Sequence, residues 1–235
     1  MTSLRFDLKA TCAALAHSPL FQGLDPDELE GIARAMNRRR YRRHEVIFHE
    51  GDPGDALHLV VDGRVKIARE SAEGEEAIVV ILSPGDTFGE LVLLDGAPRS
   101  ATAIAVEAAE TLAMSRESFA ALIDGTGPFR WRVLGAIAQR IRRVTDQLAE
   151  VHFLDLSGRL ALQLSRLAEE STPGQTADIE LRGTLTQSDL AAMIGGTRQS
   201  VNRLLNDFVD QGLLRVEKES VVIPDLERLA RAAER

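Results

Sequence analysis

Two stretches of the 235-residue chain carry side chains that can do specific chemistry. The first runs from Phe88 to Thr102 and reads FGELVLLDGAPRSAT. Arg99 offers the planar fork of donors that suits a phosphate, small residues beside it leave backbone N–H groups free to point at an anion, and Glu90 can accept from hydroxyls. Together these describe a pocket for a phosphate joined to a sugar. The same residues also read as an ordinary β-turn loop, with Asp95-Gly96 as the turn dipeptide and Gly85 and Gly89 punctuating strands. The second stretch, Thr186 to Leu205, reads TQSDLAAMIGGTRQSVNRLL. It sets Arg198, Gln199, Asn202 and Arg203 outward at the start of a helix. Arg pairs bidentately with guanine and Gln or Asn with adenine, so this set suits the reading of DNA bases. A plain helical hairpin is the alternative. Neither stretch comes with a nucleophile elbow, a Walker A loop or metal-ligand spacing. A carboxylate beside a guanidinium is held ionised and suits binding better than proton transfer, so no enzyme is expected.

Composition bounds the rest. Hydrophobic residues are 44% and charged residues 27%, which favours neither disorder nor a membrane protein. No apolar run approaches the length a bilayer span needs, and the opening MTSLRFDLKA has no apolar signal core, so a cytoplasmic protein is expected. The single cysteine, Cys12, cannot close an internal disulfide and is too few for a metal cluster. A net charge of -8 argues against a protein that coats nucleic acid over its whole surface, yet leaves room for a local DNA-reading face.

The elements that must position these residues follow in order. Residues 5 to 17 fit a short helix. A second starts at Asp25-Pro26-Asp27-Glu28, with Asp25 as cap, Pro26 at the first helical position and Leu29, Ile32, Ala33 and Met36 on one face. The basic run Arg38 to Arg43 fits a solvated strand edge or a nucleic-acid contact. From Glu45 to Ser115, short β-rich runs (Val46 to Phe48, Leu57 to Val61, Val65 to Ala68, Ala77 to Leu82, Ala101 to Val106, Thr111 to Met114) alternate with glycine turns, which predicts an antiparallel barrel or sandwich. Asp62-Gly63 between two of these runs is a hairpin signal.

Arg116 to Ile123 reads as a short helix, and Phe129 to Phe153 as a long one. On the long helix, Leu134, Ile137, Ile141, Val144, Leu148 and Val151 make a two-in-seven seam with charged residues around it. So narrow a stripe suits a parallel homodimer, although packing on the same chain remains open. Ser157 to Glu169 is amphipathic, and Ile179 to Leu181 fits a short strand. Thr186 and Asp189 then begin a helix that ends at Gly195-Gly196, and Thr197 caps the next. Leu190, Ile194, Val201 and Leu204 pack the inside of this helix-turn-helix. Leu213 to Val216 and Val221 to Ile223 form a hairpin wing, and Asp225 to Glu234 closes with a helix.

In this order the whole chain resembles the Crp/Fnr family of bacterial transcription regulators, of the cyclic-AMP receptor type. FGELVLLDGAPRSAT resembles the family's phosphate-binding cassette, FLDLSGR its hinge and TQSDLAAMIGGTRQSVNRLL its DNA-binding helices. The resemblance implies an α+β chain in three parts. They are an N-terminal antiparallel β-barrel or jelly-roll cyclic-nucleotide-binding domain (1–128), a long dimerisation helix with hinge (129–155) and a C-terminal winged helix-turn-helix domain (156–235). It implies cyclic AMP as allosteric effector, with cyclic GMP possible and no metal or covalent cofactor. Arg99 meets the cyclic phosphate and Glu90 the ribose 2′-hydroxyl, while Gly89, Leu91, Ser100 and Ala101 line the site and Arg140 reaches towards Glu90. Val144 and Thr145 stand where the receptor type uses a Thr-Ser pair against the adenine; the apolar Val144 omits one hydrogen bond and weakens selection against cyclic GMP. The DNA contacts carried over are Ser157, Thr186, Gln187, Thr197, Arg198, Gln199, Ser200, Asn202 and Arg203. Gln199 replaces a Glu, which changes the preferred half-site from a cytosine contact to an adenine contact. The partners implied are a palindromic double-stranded operator, a second copy of the chain and RNA polymerase, the last through the loop from Glu169 to Gln175. The alternatives are the same regulator without a ligand, or one sensing another ligand. A haem would need His44, His49 or His58, and an iron–sulfur cluster is disfavoured by a lone Cys12.

Overall fold

The computed structural model describes residues 7–125, 127–182, 186–217 and 220–233. Two units are distinguished by their internal contacts: the chain up to Arg69 with Val79–Ile141, and Glu70–Ile78 with the chain from Arg142 onward.

The first unit begins with α1 (Leu8–His17) and α2 (Pro26–Ala35). Residues 5 and 6 of the expected first helix lie outside the described residues. Asp25 and Glu28 form a reciprocal cap on α2, with the Glu28 N–H donating to Asp25 at 2.8 Å and the Asp25 N–H donating to Glu28 at 2.9 Å. The helix ends one residue short of expectation. Met36 opens β1 (Met36–Tyr41), where it pairs with Met114, so tertiary pairing overrides its helical spacing.

The strands that follow are β2 (Val46–Phe48), β3 (Ala56–Asp62), β4 (Val65–Glu70), β5 (Glu76–Leu82) and β6 (Thr87–Phe88). After α3 (Leu91–Asp95) come β7 (Thr102–Ala105) and β8 (Ala109–Ser115). They make two four-stranded sheets in the orders β1-β8-β3-β6 and β2-β7-β4-β5, arranged like a jelly roll and not closed into a barrel. Asp62-Gly63 is not a hairpin. The flanking strands lie in different sheets, so this turn carries the chain across from one to the other. Gly63 is required by close approach: with φ at +71°, a Cβ there would lie 2.8 Å from the Ala109 Cα and collide with the Ala108 carbonyl. On the edge strand β1, Arg38 and Arg40 share one carboxylate, each 2.6 Å from Glu110 on β8, which favours the solvated-edge reading of the basic run.

Val60, Val65, Ile67, Leu82, Phe88, Ala103 and Ala105 form one core cluster. A second joins Leu15, Phe21, Leu57, Leu59, Leu112, Met114 and Phe119 to Phe129. Phe129 stacks on Phe21 at 5.7 Å and meets Phe119 edge-on at 5.8 Å. These aromatic contacts fix the first turns of the long helix α5 (Gly127–Phe153), which follows α4 (Arg116–Gly125).

In the second unit, Asp155 caps α6 (Leu156–Ser171) by accepting from the Gly158 N–H at 2.8 Å. Then come β9 (Ala177–Arg182), α7 (Gln187–Ile194), α8 (Arg198–Asp210), β10 (Arg215–Val216), β11 (Ser220–Asp225) and α9 (Leu226–Ala232). The sheet order is β10-β11-β9. Leu160, Leu164, Ile179, Leu190, Ile194, Val201, Leu205, Phe208, Leu214, Ile223 and Leu229 form its core. Val201, Leu205 and Phe208 are the buried anchors of α8, and the expected Leu204 is only half-buried at their side. Lys218 and Glu219 of the wing and Glu234 of the closing helix lie outside the described residues.

Candidate ligand pocket and nucleic-acid interface

The expected anion site is a cleft in the first unit. Gly89, Leu91, Arg99, Ser100, Ala101 and Arg140 line it together with Phe48, Ile67, Phe88 and Val92, while Glu90 is not among the lining residues. The Phe88–Thr102 stretch is not a plain loop, because α3 turns within it and ends at Gly96.

Arg99 is buried, with 6% of its surface exposed. Its Nη1 donates to the Gly89 carbonyl at 2.8 Å and its Nη2 to the Ala56 carbonyl at 2.9 Å. The guanidinium also lies 4.0 Å over the Phe48 ring, a cation–π contact. Its Nε is buried with no hydrogen-bond partner. Burial lowers the affinity of this guanidinium for its proton, against the opposing pull of Asp55, Glu90 and Asp52. It remains charged, as arginine does in proteins.

Glu90 holds Arg140 of α5, whose Nη1 donates to Oε1 at 2.9 Å. Its other oxygen, Oε2, is buried and unpartnered. Arg99 and Glu90 therefore hold one orphaned donor and one orphaned acceptor, both buried, each of which costs free energy while unmade.

Beneath Arg99, His58 stacks on Phe88 at 5.0 Å and shares a 3.3 Å hydrogen bond with Thr111. Burial pushes the His58 pKa down to about 4, helped by the Arg99 and Arg39 charges and opposed by Asp55. This ring is neutral at physiological pH and packs as an aromatic slab. Buried against Phe88 and bonded to Thr111, His58 gives the haem alternative no support.

Val144 and Thr145 belong to the second unit, and both are exposed on α5. Around them runs the expected apolar stripe. Ile141, Leu148 and Val151 are 62%, 67% and 63% exposed, and Leu134 and Val144 also face outward. Ile137 departs from the expected seam: it is half-buried against the core cluster of its own unit.

In the second unit, α7 and α8 meet as the sequence predicts. The Asp189 N–H donates to Thr186 Oγ1 and the Ser200 N–H to Thr197 Oγ1, both at 3.1 Å. Gly195 takes the left-handed angle φ +68° that ends α7. Val201, Leu205 and Phe208 turn inward, which leaves Arg198, Gln199, Asn202 and Arg203 exposed on the opposite face of α8. Asn202 is already engaged, donating to Gln187 Oε1 at 3.3 Å. Ser157 stands apart from this face, in a recess with Gln211, Arg228 and Arg231.

Residues 38–126 match the family of the cyclic nucleotide-binding domain, and residues 158–232 that of the Crp-like helix-turn-helix domain. The chain is 34% identical to the CRP-like cAMP-activated global transcriptional regulator of Mycobacterium tuberculosis, over 93% of this chain and 98% of that one. It is also 34% identical to the cyclic AMP receptor protein of Thermus thermophilus, over 88% and 92% of the two chains. Among solved structures it is similar to the c-di-GMP responsive global regulator CLP of Xanthomonas campestris. That match has a TM-score of 0.72 at 25% identity and covers 85% of this chain and 99% of the other.

Proposed function

The chain belongs to the Crp/Fnr family of bacterial transcription regulators, and from that premise we propose a homodimeric, sequence-specific DNA-binding protein whose effector is cyclic AMP. The observation that carries the ligand reading is the pairing of Arg99 Nε with Glu90 Oε2, two buried polar atoms of opposite character with no protein partner. A cyclic nucleotide offers an anionic phosphate to the first and a ribose hydroxyl to the second. Gly89, Leu91, Ser100 and Ala101 close around the ligand, and Arg140 steadies Glu90 from α5.

The stripe at Leu134, Ile141, Val144, Leu148 and Val151 is the homodimer seam, since an apolar band this exposed on one helix face is an interaction surface. Val144 and Thr145 on the same helix meet the base. The apolar Val144 supplies no hydrogen bond to an exocyclic amine, so selection for cyclic AMP over cyclic GMP is weak, by about 0.5–1.5 kcal/mol less than a hydroxyl would give.

Arg198, Gln199 and Arg203 read base edges in the major groove, and Thr186, Gln187, Thr197, Ser200 and Asn202 surround that contact. Two such helices in a dimer read a palindromic operator in the cytoplasm, and the loop from Glu169 to Gln175 meets RNA polymerase. Binding, not turnover, is the role of the cleft.

Isothermal titration tests the ligand. Heat is expected with cyclic AMP, and none with either cyclic AMP or cyclic GMP at millimolar concentration refutes the reading. In vitro selection of bound DNA with and without cyclic AMP tests the rest: equal DNA affinity in both conditions marks a constitutive regulator.

A further inference from the structure

Arg99 is gripped by the segment that precedes β3. The Gly51 N–H donates to the Arg99 carbonyl at 2.8 Å, and the Arg99 N–H donates to the Asp52 carbonyl at 2.9 Å. The side chain then folds back over the same segment, Nη2 reaching Ala56 O and Nη1 crossing to Gly89 O. Gly54 gives the guanidinium its room. A Cβ at this position would stand 2.6 Å from Arg99 Nε, 2.7 Å from its Cζ and 2.9 Å from Val92 Cγ1. Gly54 has no left-handed backbone angle, so it is space and not backbone conformation that calls for glycine here.

The segment itself is pinned. Arg116 Nη2 donates to the Gly54 carbonyl at 3.1 Å and to the Val92 carbonyl at 2.8 Å, and the Arg116 N–H donates to the Asp55 carbonyl at 2.7 Å. With backbone and α3 tied together on this side, the side chain of Arg99 is the part free to move. In its inward position it also shapes the cleft, whose volume is about 20 Å3, room for one water. Arg99 Nε, the donor without a partner, is buried against Gly54 in this position, so a phosphate reaches it only when the guanidinium moves outward, off at least one of its carbonyls.

We propose that Gly54 is an affinity-setting residue of this pocket: it admits the inward, carbonyl-bonded position of Arg99, which competes with an anionic ligand for the same guanidinium. The proposal rests on the nucleotide reading given above. A binding-competent state populated only a tenth of the time raises an apparent Kd about tenfold, and removing the competing state restores it. Gly54→Ala and Gly54→Ser add the same Cβ, make the inward position untenable and leave the ligand-bonding atoms of Arg99 and Glu90 intact.

The test pairs two measurements on the full chain. Titration with cyclic AMP is expected to give a Kd about five- to tenfold lower for both variants than for the natural protein, with thermal midpoints showing that they fold. Unchanged or weaker binding by folded variants overturns the proposal and leaves the nucleotide reading standing. No heat from the natural protein or either variant refutes the nucleotide reading, and the latch as a ligand gate with it. The second measurement needs no nucleotide: nitrogen-15 NMR of the Arg99 Nε–H, assigned by comparison with Arg99→Lys. Slow proton exchange is expected in the natural protein and faster exchange in Gly54→Ala. Fast exchange in the natural protein shows that Arg99 is not latched and overturns the proposal even where the variants fail to fold.

Discussion

The most direct prediction concerns Glu90 and a single ligand atom. Glu90 Oε2 is buried and unpartnered, while Oε1 is committed to Arg140 at 2.9 Å. A ribose 2′-hydroxyl donating to Oε2 makes a hydrogen bond to an ionised group, worth about 1.5–3 kcal/mol, or roughly 10- to 150-fold in affinity. Removing the hydroxyl from the ligand therefore costs that much against the natural protein. It costs much less against Glu90→Gln, which keeps the shape and an acceptor but loses the charge. Titrating cyclic AMP and 2′-deoxy cyclic AMP against both proteins closes a cycle in which the difference belongs to this one contact. The expected result is a ratio of affinities near the upper part of that range for the natural protein and below about tenfold for Glu90→Gln. Equal affinity of the natural protein for the two ligands refutes the assignment of Oε2 to the ribose, whatever the variant does.

Other outcomes follow from the remaining elements. Leu148 is 67% exposed in the apolar stripe, so sedimentation at micromolar concentration should show a dimer for the natural protein and a monomer for Leu148→Asp; a monomeric natural protein removes the seam reading. Arg198 is exposed at the start of α8, so Arg198→Ala should lose about 1–3 kcal/mol of operator affinity by fluorescence anisotropy without a change in thermal midpoint. Gly195 sits at φ +68°, and Gly195→Ala should cost about 1–2 kcal/mol of stability, read as a lower unfolding midpoint. The pKa of His58 falls to about 4 in the fold against about 6.5 when unfolded, so the unfolded chain binds the extra proton between these values. Its contribution is full above pH 6.5 and falls as pH drops towards 4, by on the order of 3 kcal/mol in all. Urea unfolding at pH 7 and pH 5 should show a smaller loss of stability for His58→Gln than for the natural protein.

What is legible in the sequence is what depends on neighbours along the chain. Asp25, Thr186 and Thr197 announce helix starts because a cap lies in one local pattern with the turn it begins, and each forms reciprocal bonds with its third residue, a box expected only for Thr186 and Asp189. Gly195 is legible for the same reason. Asp62-Gly63 misleads because a turn dipeptide reports a reversal and not which strands pair; here β3 and β4 go to different sheets. Met36 misleads because helical spacing continues through it, while the partner that claims it, Met114, is far along the chain. The pocket shows both sides of this. Glu90 and Arg99 lie in one stretch, but Ala56, which receives Arg99 Nη2, is 43 residues away. Gly54 follows Gly51-Asp52-Pro53 and reads simply as a turn; nothing local says that a guanidinium fills its missing side chain.

The same geometry limits how an effector can act. Among the residues lining the cleft, α5 contributes one, Arg140, and that side chain is bonded to Glu90. A ligand shifts an equilibrium only through contacts that differ between its states. A hydroxyl that settles on Oε2 adds to Glu90 while leaving Oε1 with Arg140, so it stiffens the tie between the cassette and the helix. A phosphate that pulls Arg99 outward releases the Gly89 and Ala56 carbonyls and loosens the wall beside that tie. These two effects enter the helix at opposite ends of one ligand, and a nucleotide makes both while inorganic phosphate makes only the second. The ribose therefore distinguishes an effector that moves α5 from an anion that merely occupies the pocket.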